Sequence, residues 1–426
     1  MKKIYLSVLM MSFITLNSCK NAYAEKNARV GDIQQEVTSL DYNESTATTS
    51  GREIGSAGET LHENPASPGN DPIATSAADT KIQVAILLDT SGSMDGLIEQ
   101  AKSRLWNIIN TLTTLRFKGK TPEIQIALYE YGNDNIKASD GYVRLVTPLT
   151  TDLDLISEKL FALKTNGGLE YCGTVIDKAN KQLKWSTNES DIHLIYIAGN
   201  EPFTQGNISY KEAISDALRK NISISTIHCG NRDEGISGMW KDGADKGNGK
   251  FFNIDHNARV RYVITPYDDR IDQCNIRLNA TYISYGSQGR AKQMNQAAQD
   301  KNAASISSAN NTERIVSKSK AVYKNESWDL VDLAAENEEA LNDIKQSELP
   351  KELQEKSEAE IKAHVAQKKE ERETIQKEIA DLAKQRQAYI DEELKKDNDV
   401  SKDDLGYLIN QSVVEIATAK GYNVKQ

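Results

Sequence analysis

The chain has 426 residues, of which 38% are hydrophobic and 27% are charged. Single hydrophobic cores rarely grow beyond about 250–300 residues, so this length predicts a globular part with additional segments. The formal net charge is −10 at pH 7, and an acidic chain repels the phosphate backbone of nucleic acids. We therefore expect no nucleic acid among the partners of this protein.

The N-terminus has the pattern of an export signal. Two lysines precede an apolar run over residues 4–16, which is too short to span a bilayer as a stable helix. The run ends in LNSC over residues 16–19, which resembles the lipobox of bacterial lipoproteins. The resemblance implies a signal peptide over residues 1–19, a lipid on Cys19, and an extracytoplasmic location at the cell membrane or the outer membrane. Ordinary signal cleavage after Ala24 is the alternative.

Residues 20–80 are rich in small and polar side chains and contain few large apolar ones. Such a segment buries too little surface to offset the entropy of ordering it, and we interpret it as a flexible tether.

Between residues 81 and 265 the chain alternates between strand-like and helix-like segments. Apolar runs predict strands that are buried on both faces, and apolar residues at helical spacing predict amphipathic helices. This alternation predicts an α/β domain with a doubly wound, mostly parallel sheet, in which ligands bind at the carboxyl ends of the strands. Strands are expected at 82–88, 123–131, 142–146, 193–198, 222–228 and 251–254, and helices at 95–112, 153–163, 174–183 and 209–220.

Residues 266–426 are expected to form a mainly helical C-terminal extension. Apolar residues in 358–396 recur at intervals compatible with heptads, but Lys368, Arg372 and Arg386 interrupt them. This segment is either a coiled-coil helix for a partner or a solvated helix that packs back on its own chain. The other elements expected here are helices at 267–279 and 327–344, the second capped by Ser327, a short strand at 280–283, and partial helix in 288–324.

A D-x-S-x-S motif follows the first predicted strand and precedes the first predicted helix. It places the Asp89 carboxylate and the Ser91 and Ser93 hydroxyls in one turn. Hard divalent cations prefer such oxygen ligands. The alternative is that these side chains only cap the helix, as Ser and Asp often do. In this context the motif resembles the metal-ion-dependent adhesion site of von Willebrand factor A domains.

The resemblance implies two more ligand positions. The family has a Thr after a Gly-rich turn, where this chain has Glu170, and an Asp after the fourth strand, where this chain has Asn200. It also implies Mg²⁺, or another divalent cation such as Ca²⁺ or Mn²⁺, and a protein partner that offers an acidic residue to the ion. Glu170 adds charge at the site, Asn200 removes it, and the neighbouring Glu201 can compensate.

Further strings resemble a group of bacterial proteins that carry this domain, and the resemblance extends from residue 81 to the C-terminus without implying an activity. The strings are YEYGND, TNGG, EYCGTVI, IAGNEPFTQG, TIHCG, TYISYG, AAQDKNAAS and SWDLVD.

Cys172 and Cys229 are both placed at the carboxyl edge of the predicted sheet. Export permits disulfides, and the three cysteines after Cys19 allow one bridge at most. We expect a Cys172–Cys229 disulfide, with Cys274 as a small buried residue. The competing interpretation is a cysteine hydrolase with Cys172 as nucleophile, His228 as base and Glu170 as orienting group, although no oxyanion-hole signal accompanies them.

The sequence therefore predicts a membrane-anchored, non-enzymatic protein that binds a protein partner through a divalent metal. The alternative is a scaffold lipoprotein with a vestigial metal site, which acts through its C-terminal helices. Trp240, in a polar loop, is either a partner contact or an anchor of that loop.

Overall fold

The computed structural model describes residues 80–255, 260, 262–396 and 405–424. The predicted signal peptide, Cys19 and the tether lie outside the described residues. Within them, no helix is both long enough and apolar enough to cross a membrane.

A six-stranded sheet forms the centre of the structure, in the order β4-β3-β1-β5-β6-β7. All neighbouring strands are parallel except β4, which is antiparallel to β3 at the edge. The doubly wound, mostly parallel sheet predicted from the alternation of elements is confirmed. A small second sheet pairs β2 with β8. The strands are β1 (Lys81–Asp89), β2 (Leu115–Arg116), β3 (Glu123–Tyr131), β4 (Val143–Thr150), β5 (Ile192–Gly199), β6 (Ile222–Cys229), β7 (Asn248–Ile254) and β8 (Asn423–Val424).

Thirteen α-helices are present in the described part of the chain. The first six belong to the predicted α/β domain: α1 (Asp95–Leu112), α2 (Leu153–Ala162), α3 (Cys172–Gln182), α4 (Tyr210–Leu218), α5 (Arg232–Ser237) and α6 (Trp240–Lys246). The others follow it: α7 (Asp268–Asn279), α8 (Gly286–Ile306), α9 (Ser308–Lys318), α10 (Leu330–Glu336), α11 (Lys351–Gln354), α12 (Glu358–Lys396) and α13 (Leu405–Ala419).

The two faces of the sheet carry different helices because successive side chains of a strand point to opposite sides. Along β1, Ala85 and Leu87 belong to a core formed with α3, α4 and α6. Val84 and Leu88 belong to a core formed with α1, α2 and helices of the C-terminal extension. We call the second side the extension face. The C-terminal helices thus share a hydrophobic core with the α/β domain, and the predicted domain boundaries stay predictions.

The long helix α12 packs on its own chain, against α7, α9 and α10. Its apolar residues Ile375 and Ile379 are fully buried. Arg372 and Arg386, which interrupt the apolar pattern, are buried in ion pairs with Asp329 and Asp268. Of the two interpretations of this segment, the structure confirms the helix that packs back on its own chain. Arg372 and Arg386 interrupt the apolar pattern because they pair with buried carboxylates of the same chain.

Two predictions in the extension are wrong. Residues 280–283 form no strand, and the nearest pairing is an isolated bridge between Ser284 and Asp329. The helix expected over 327–344 begins at Leu330 and ends at Glu336, followed by a 3₁₀ turn over Glu338–Asp343. Asp329, and not Ser327, is its cap, since the Asp329 side chain accepts a hydrogen bond from the Asp332 backbone N–H at 3.0 Å.

A candidate metal site at the carboxyl edge of the sheet

The D-x-S-x-S loop connects the central strand β1 to α1. Asp89, the last residue of β1, is fully buried, and its Oδ1 accepts a hydrogen bond from the Ser91 backbone N–H at 2.7 Å. The N-cap of α1 is Met94, and no side-chain hydrogen bond caps this helix. The interpretation of Asp89, Ser91 and Ser93 as simple capping residues is therefore wrong.

The structure brings the five predicted site residues together. The Ser91 and Ser93 hydroxyl oxygens are 3.4 Å apart, and Asn200 Nδ2 donates to Ser93 Oγ at 3.3 Å. The Asp89 and Glu170 carboxyl groups are neighbours, since each influences the pKa of the other. These residues come from the end of β1 and the loop after it, the loop before α3 and the loop after β5. That they bind a cation stays a prediction.

Two carboxyl groups share this buried place. Burial raises the pKa of Asp89 well above its usual value, and the neighbouring Glu170 carboxyl raises it further. Burial also raises the pKa of Glu170, against hydrogen bonds from Asp89 and Ser91 that lower it. The Glu201 backbone N–H donates to Glu170 Oε2 at 3.4 Å. The cluster thus concentrates acidic oxygen atoms where water is excluded, and a positive charge would be strongly favoured there.

The donor set fits a hard divalent cation. Asp89 Oδ2 and Asn200 Oδ1 are buried and have no hydrogen-bond partner, whereas buried polar atoms in proteins are almost always paired. Carboxylate, hydroxyl and amide oxygens are the ligands that Mg²⁺ and Ca²⁺ take. Among the described residues, no group of three or more His, Cys, Asp or Glu side chains is placed to hold a metal. A site here therefore depends on the Ser and Asn oxygens in addition to the two carboxylates.

Residues of β6 and α6 hold the loop that carries Asn200. His228 Nε2 lies 3.2 Å from the Asn200 carbonyl oxygen, and His228 Nδ1 lies 3.0 Å from Asn253 Oδ1. Trp240 is fully buried and donates from Nε1 to the Glu201 carbonyl oxygen at 2.8 Å. Trp240 is thus an anchor of the loop and not an exposed partner contact. The sequence indicated these two residues only by their positions. His228 lies near the end of β6, and Trp240 begins α6.

The predicted Cys172–Cys229 disulfide is wrong. Cys172, Cys229 and Cys274 are all free and buried. Cys172 begins α3 and lies in the core on the side of α3 and α4, whereas Cys229 lies in the core of the extension face. The sheet separates the two thiols, because in β6 the side chains of His228 and Cys229 point to opposite sides.

The cysteine hydrolase arrangement is not formed. The ring nitrogens of His228 contact the Asn253 side chain and the Asn200 carbonyl oxygen, so both have partners other than Cys172. Burial raises the pKa of Cys172 well above its usual value, which disfavours the thiolate that a nucleophile needs. The Cys172 thiol instead donates to the Tyr131 hydroxyl at 3.8 Å.

Comparison with known proteins identifies the domain. The family model of the von Willebrand factor type A domain matches residues 83–262. The chain has no match among curated proteins.

Three similar solved structures each cover about two fifths of the chain. BatB from Bacteroides thetaiotaomicron is 17% identical, with 41% of this chain and 90% of that chain covered and a TM-score of 0.32. The SpRpn10 VWA domain is 21% identical, with 40% and 87% covered and a TM-score of 0.30. Proximal thread matrix protein 1 from the mussel byssus, with a zinc-occupied MIDAS motif, is 14% identical, with 41% and 42% covered and a TM-score of 0.31. The family match and the mostly parallel sheet described above identify residues 83–262 of this chain as a von Willebrand factor type A domain.

Proposed function

We propose that this domain binds a divalent cation, Mg²⁺ or alternatively Ca²⁺ or Mn²⁺, and binds a protein partner at the same place. The ligands would be Asp89, Ser91, Ser93, Glu170 and Asn200. The observation that carries the proposal is the pair of buried oxygens without a partner, Asp89 Oδ2 and Asn200 Oδ1, within one cluster of oxygen donors. Leaving such atoms unpaired is costly, and binding a cation would remove the cost.

The residues of the cluster have distinct roles in this proposal. Asp89 and Glu170 supply the negative charge, and Ser91 and Ser93 supply neutral hydroxyl oxygens. A bound divalent cation supplies a positive charge to which an acidic side chain of a partner can bind. Because Glu170 stands where the family has a neutral Thr, part of that charge is already balanced within the domain.

Exposed apolar side chains near the site support a role in partner binding. Leu169 precedes Glu170 and is 49% exposed, and Met239 is 41% exposed. Met239 lies next to the Asn200 loop, because the Phe203 backbone N–H donates to the Gly238 carbonyl oxygen at 2.8 Å. A partner that places an acidic residue at the cluster would cover these apolar groups and gain hydrophobic energy from them.

The long helix α12 does not favour a scaffold that acts through its C-terminal helices. Its apolar residues, among them Val365, Ile375 and Leu382, are buried against the same chain. Ile276 of α7 and Met294 of α8 are exposed, but no oxygen cluster accompanies them, and the proposal places partner binding at the cluster.

Titration calorimetry with Mg²⁺ tests the proposal. Wild-type protein should bind Mg²⁺, and Asp89→Ala should weaken binding about tenfold or more, since a carboxylate of the site is lost. Asp245→Asn is the matched control, because Asp245 is exposed and pairs only with Lys241 of the same helix; its affinity should equal that of the wild type. Circular dichroism should be the same for all three proteins.

A membrane pull-down with and without EDTA extends the test to the partner. The captured protein should be lost in EDTA and lost with Asp89→Ala. Mg²⁺ binding by Asp89→Ala that equals wild-type binding, or a capture that is insensitive to both changes, would contradict the proposal.

A further inference from the structure

Asn133, just after β3, connects the two loops that carry the carboxylates of the cluster. Its side chain is almost fully buried. The Asn133 amide Nδ2 donates to the Thr90 carbonyl oxygen at 3.2 Å and to the Lys164 carbonyl oxygen at 2.9 Å. Thr90 lies between Asp89 and Ser91, and Lys164 begins the loop that leads to Glu170. One amide group thus bridges the backbones of both loops.

The orientation of this amide is determined by its other contact. Asn133 Oδ1 accepts a hydrogen bond from the Asn135 backbone N–H at 3.0 Å. The amide nitrogen must therefore face the two carbonyl oxygens, and the amide oxygen is already used. Asn133 is consequently not a ligand candidate itself, and its contribution to the site can only be indirect.

Gly132 lies beside the two carboxylate side chains. Its φ is +77°, a conformation that favours glycine. A β-carbon at this position would lie 2.8 Å from Asp89 Oδ1 and 2.8 Å from Glu170 Cγ. The missing side chain of Gly132 therefore leaves room for both acidic side chains, and any larger residue would displace them.

From these contacts we propose that Gly132 and Asn133 are positioning residues that hold Asp89 and Glu170 in place in the metal site. The inference rests on the proposed function. Gly132 leaves the space that the two carboxylates occupy, and Asn133 holds together the two backbone segments next to them. Residues that hold metal ligands in place typically alter metal affinity by about 10- to 100-fold when they are replaced.

Mg²⁺ affinity and metal-free thermal stability, measured on the same variants, test this role. Asn133→Ala and Gly132→Ala should each weaken Mg²⁺ binding about tenfold or more. Asn310→Ala is the matched control. Asn310 is a fully buried Asn on the extension face whose Nδ2 donates to the Ser103 carbonyl oxygen at 2.6 Å. This variant should lose stability but keep the wild-type Mg²⁺ affinity.

Asn133→Asp separates positioning from electrostatics. An added carboxylate near the cluster would strengthen Mg²⁺ binding if charge alone mattered. The positioning role predicts the opposite, because an Asp oxygen would face the carbonyl oxygens of Thr90 and Lys164 and separate the two loops.

The outcomes distinguish the two proposals. If the wild type binds no divalent cation, the proposed function fails. The second outcome is that the wild type binds Mg²⁺ and that Gly132→Ala and Asn133→Asp bind it as tightly, with the circular dichroism of the wild type. The positioning role is then overturned, while the metal site stands. Equal losses of affinity in Asn310→Ala and Asn133→Ala would also overturn it, because the effect would then follow stability alone.

Discussion

Arg314 of α9 and Asp154 of α2 form a buried ion pair, with 2.7 Å between Nη1 and Oδ1. Arg314 also donates from Nε to Asp300 at 2.6 Å, and its guanidinium lies 4.7 Å from the centre of the Trp106 ring. Asp154 belongs to the von Willebrand factor type A domain, and Arg314 to the extension. The pair thus joins the two parts of the chain through a contact that is inaccessible to water, and the extension is expected to stabilise the domain.

Asp154→Ala should lower the free energy of unfolding by about 3–5 kcal/mol, because it leaves the Arg314 charge buried without this partner. The Tyr323 hydroxyl would also lose an acceptor, since it donates to Asp154 Oδ2 at 2.5 Å. Urea denaturation measures the change. Asp245→Ala, which breaks the exposed pair with Lys241, should change stability by less than about 1 kcal/mol. If the two substitutions lowered the free energy of unfolding equally, the buried Arg314–Asp154 pair would stabilise the protein no more than an exposed pair does.

The free energy of unfolding should depend on the charge of Lys320 above neutral pH. Burial lowers the pKa of Lys320 from 10.5 to about 8. Between these values the folded protein has released this proton and the unfolded chain still binds it, so the contribution of Lys320 to stability rises with pH. The difference in unfolding free energy between wild type and Lys320→Met should therefore shift in favour of the wild type from pH 7.5 to pH 10. A difference that is constant over this range would contradict the lowered pKa.

In the native protein, the three cysteines of the described residues should be reduced thiols that are shielded from reagents in solution. Cys172, Cys229 and Cys274 are buried and free, so the native protein should react slowly with an alkylating reagent even without added reductant. After unfolding, also without reductant, all three should be alkylated. Peptide mass spectrometry assigns each site separately from Cys19. Recovery of a Cys172–Cys229 linked peptide would contradict the structure.

Replacement of Glu170 by Thr should change the affinity for Mg²⁺ and the affinity for an acidic partner in opposite directions. Removing one carboxylate should weaken Mg²⁺ binding about tenfold or more. At saturating Mg²⁺, however, the less neutralised ion should bind a short peptide with a single Asp more tightly than the wild type does. Calorimetric titration with Mg²⁺ measures the first effect, and titration with the peptide at saturating Mg²⁺ measures the second.

Glu201→Thr is the comparison variant for this prediction, because Glu201 is exposed and acts on Glu170 through its backbone N–H and through a charge whose effect is smaller than that of burial. It should change either affinity less than Glu170→Thr does. If Glu170→Thr weakened peptide binding together with Mg²⁺ binding, the view of Glu170 as the charge-balancing residue would be contradicted.

Local patterns predicted the elements that position the site. The apolar run of β1, the D-x-S-x-S motif and the helical spacing of α1 are consecutive in the chain, so they could be interpreted without knowledge of distant contacts. The parallel sheet followed from the alternation of such segments, and its carboxyl edge gave the location of Asp89, Glu170 and Asn200. The predicted helix start at Ser327 was wrong because two possible capping residues, Ser327 and Asp329, lie within one turn of each other, and the local pattern does not distinguish them.

The sequence by itself determined the α/β domain, the order of its elements and the edge at which its acidic loops meet, because these depend on residues that are close in the chain. Only the tertiary structure decided that Cys172 and Cys229 lie on opposite faces, that α12 packs on its own chain, and that Gly132 lies beside two carboxylates. These features depend on contacts between residues that are distant in the chain, as for Gly132 and Glu170, which are 38 positions apart. Local propensity carries no information about which of many possible partners such a residue meets.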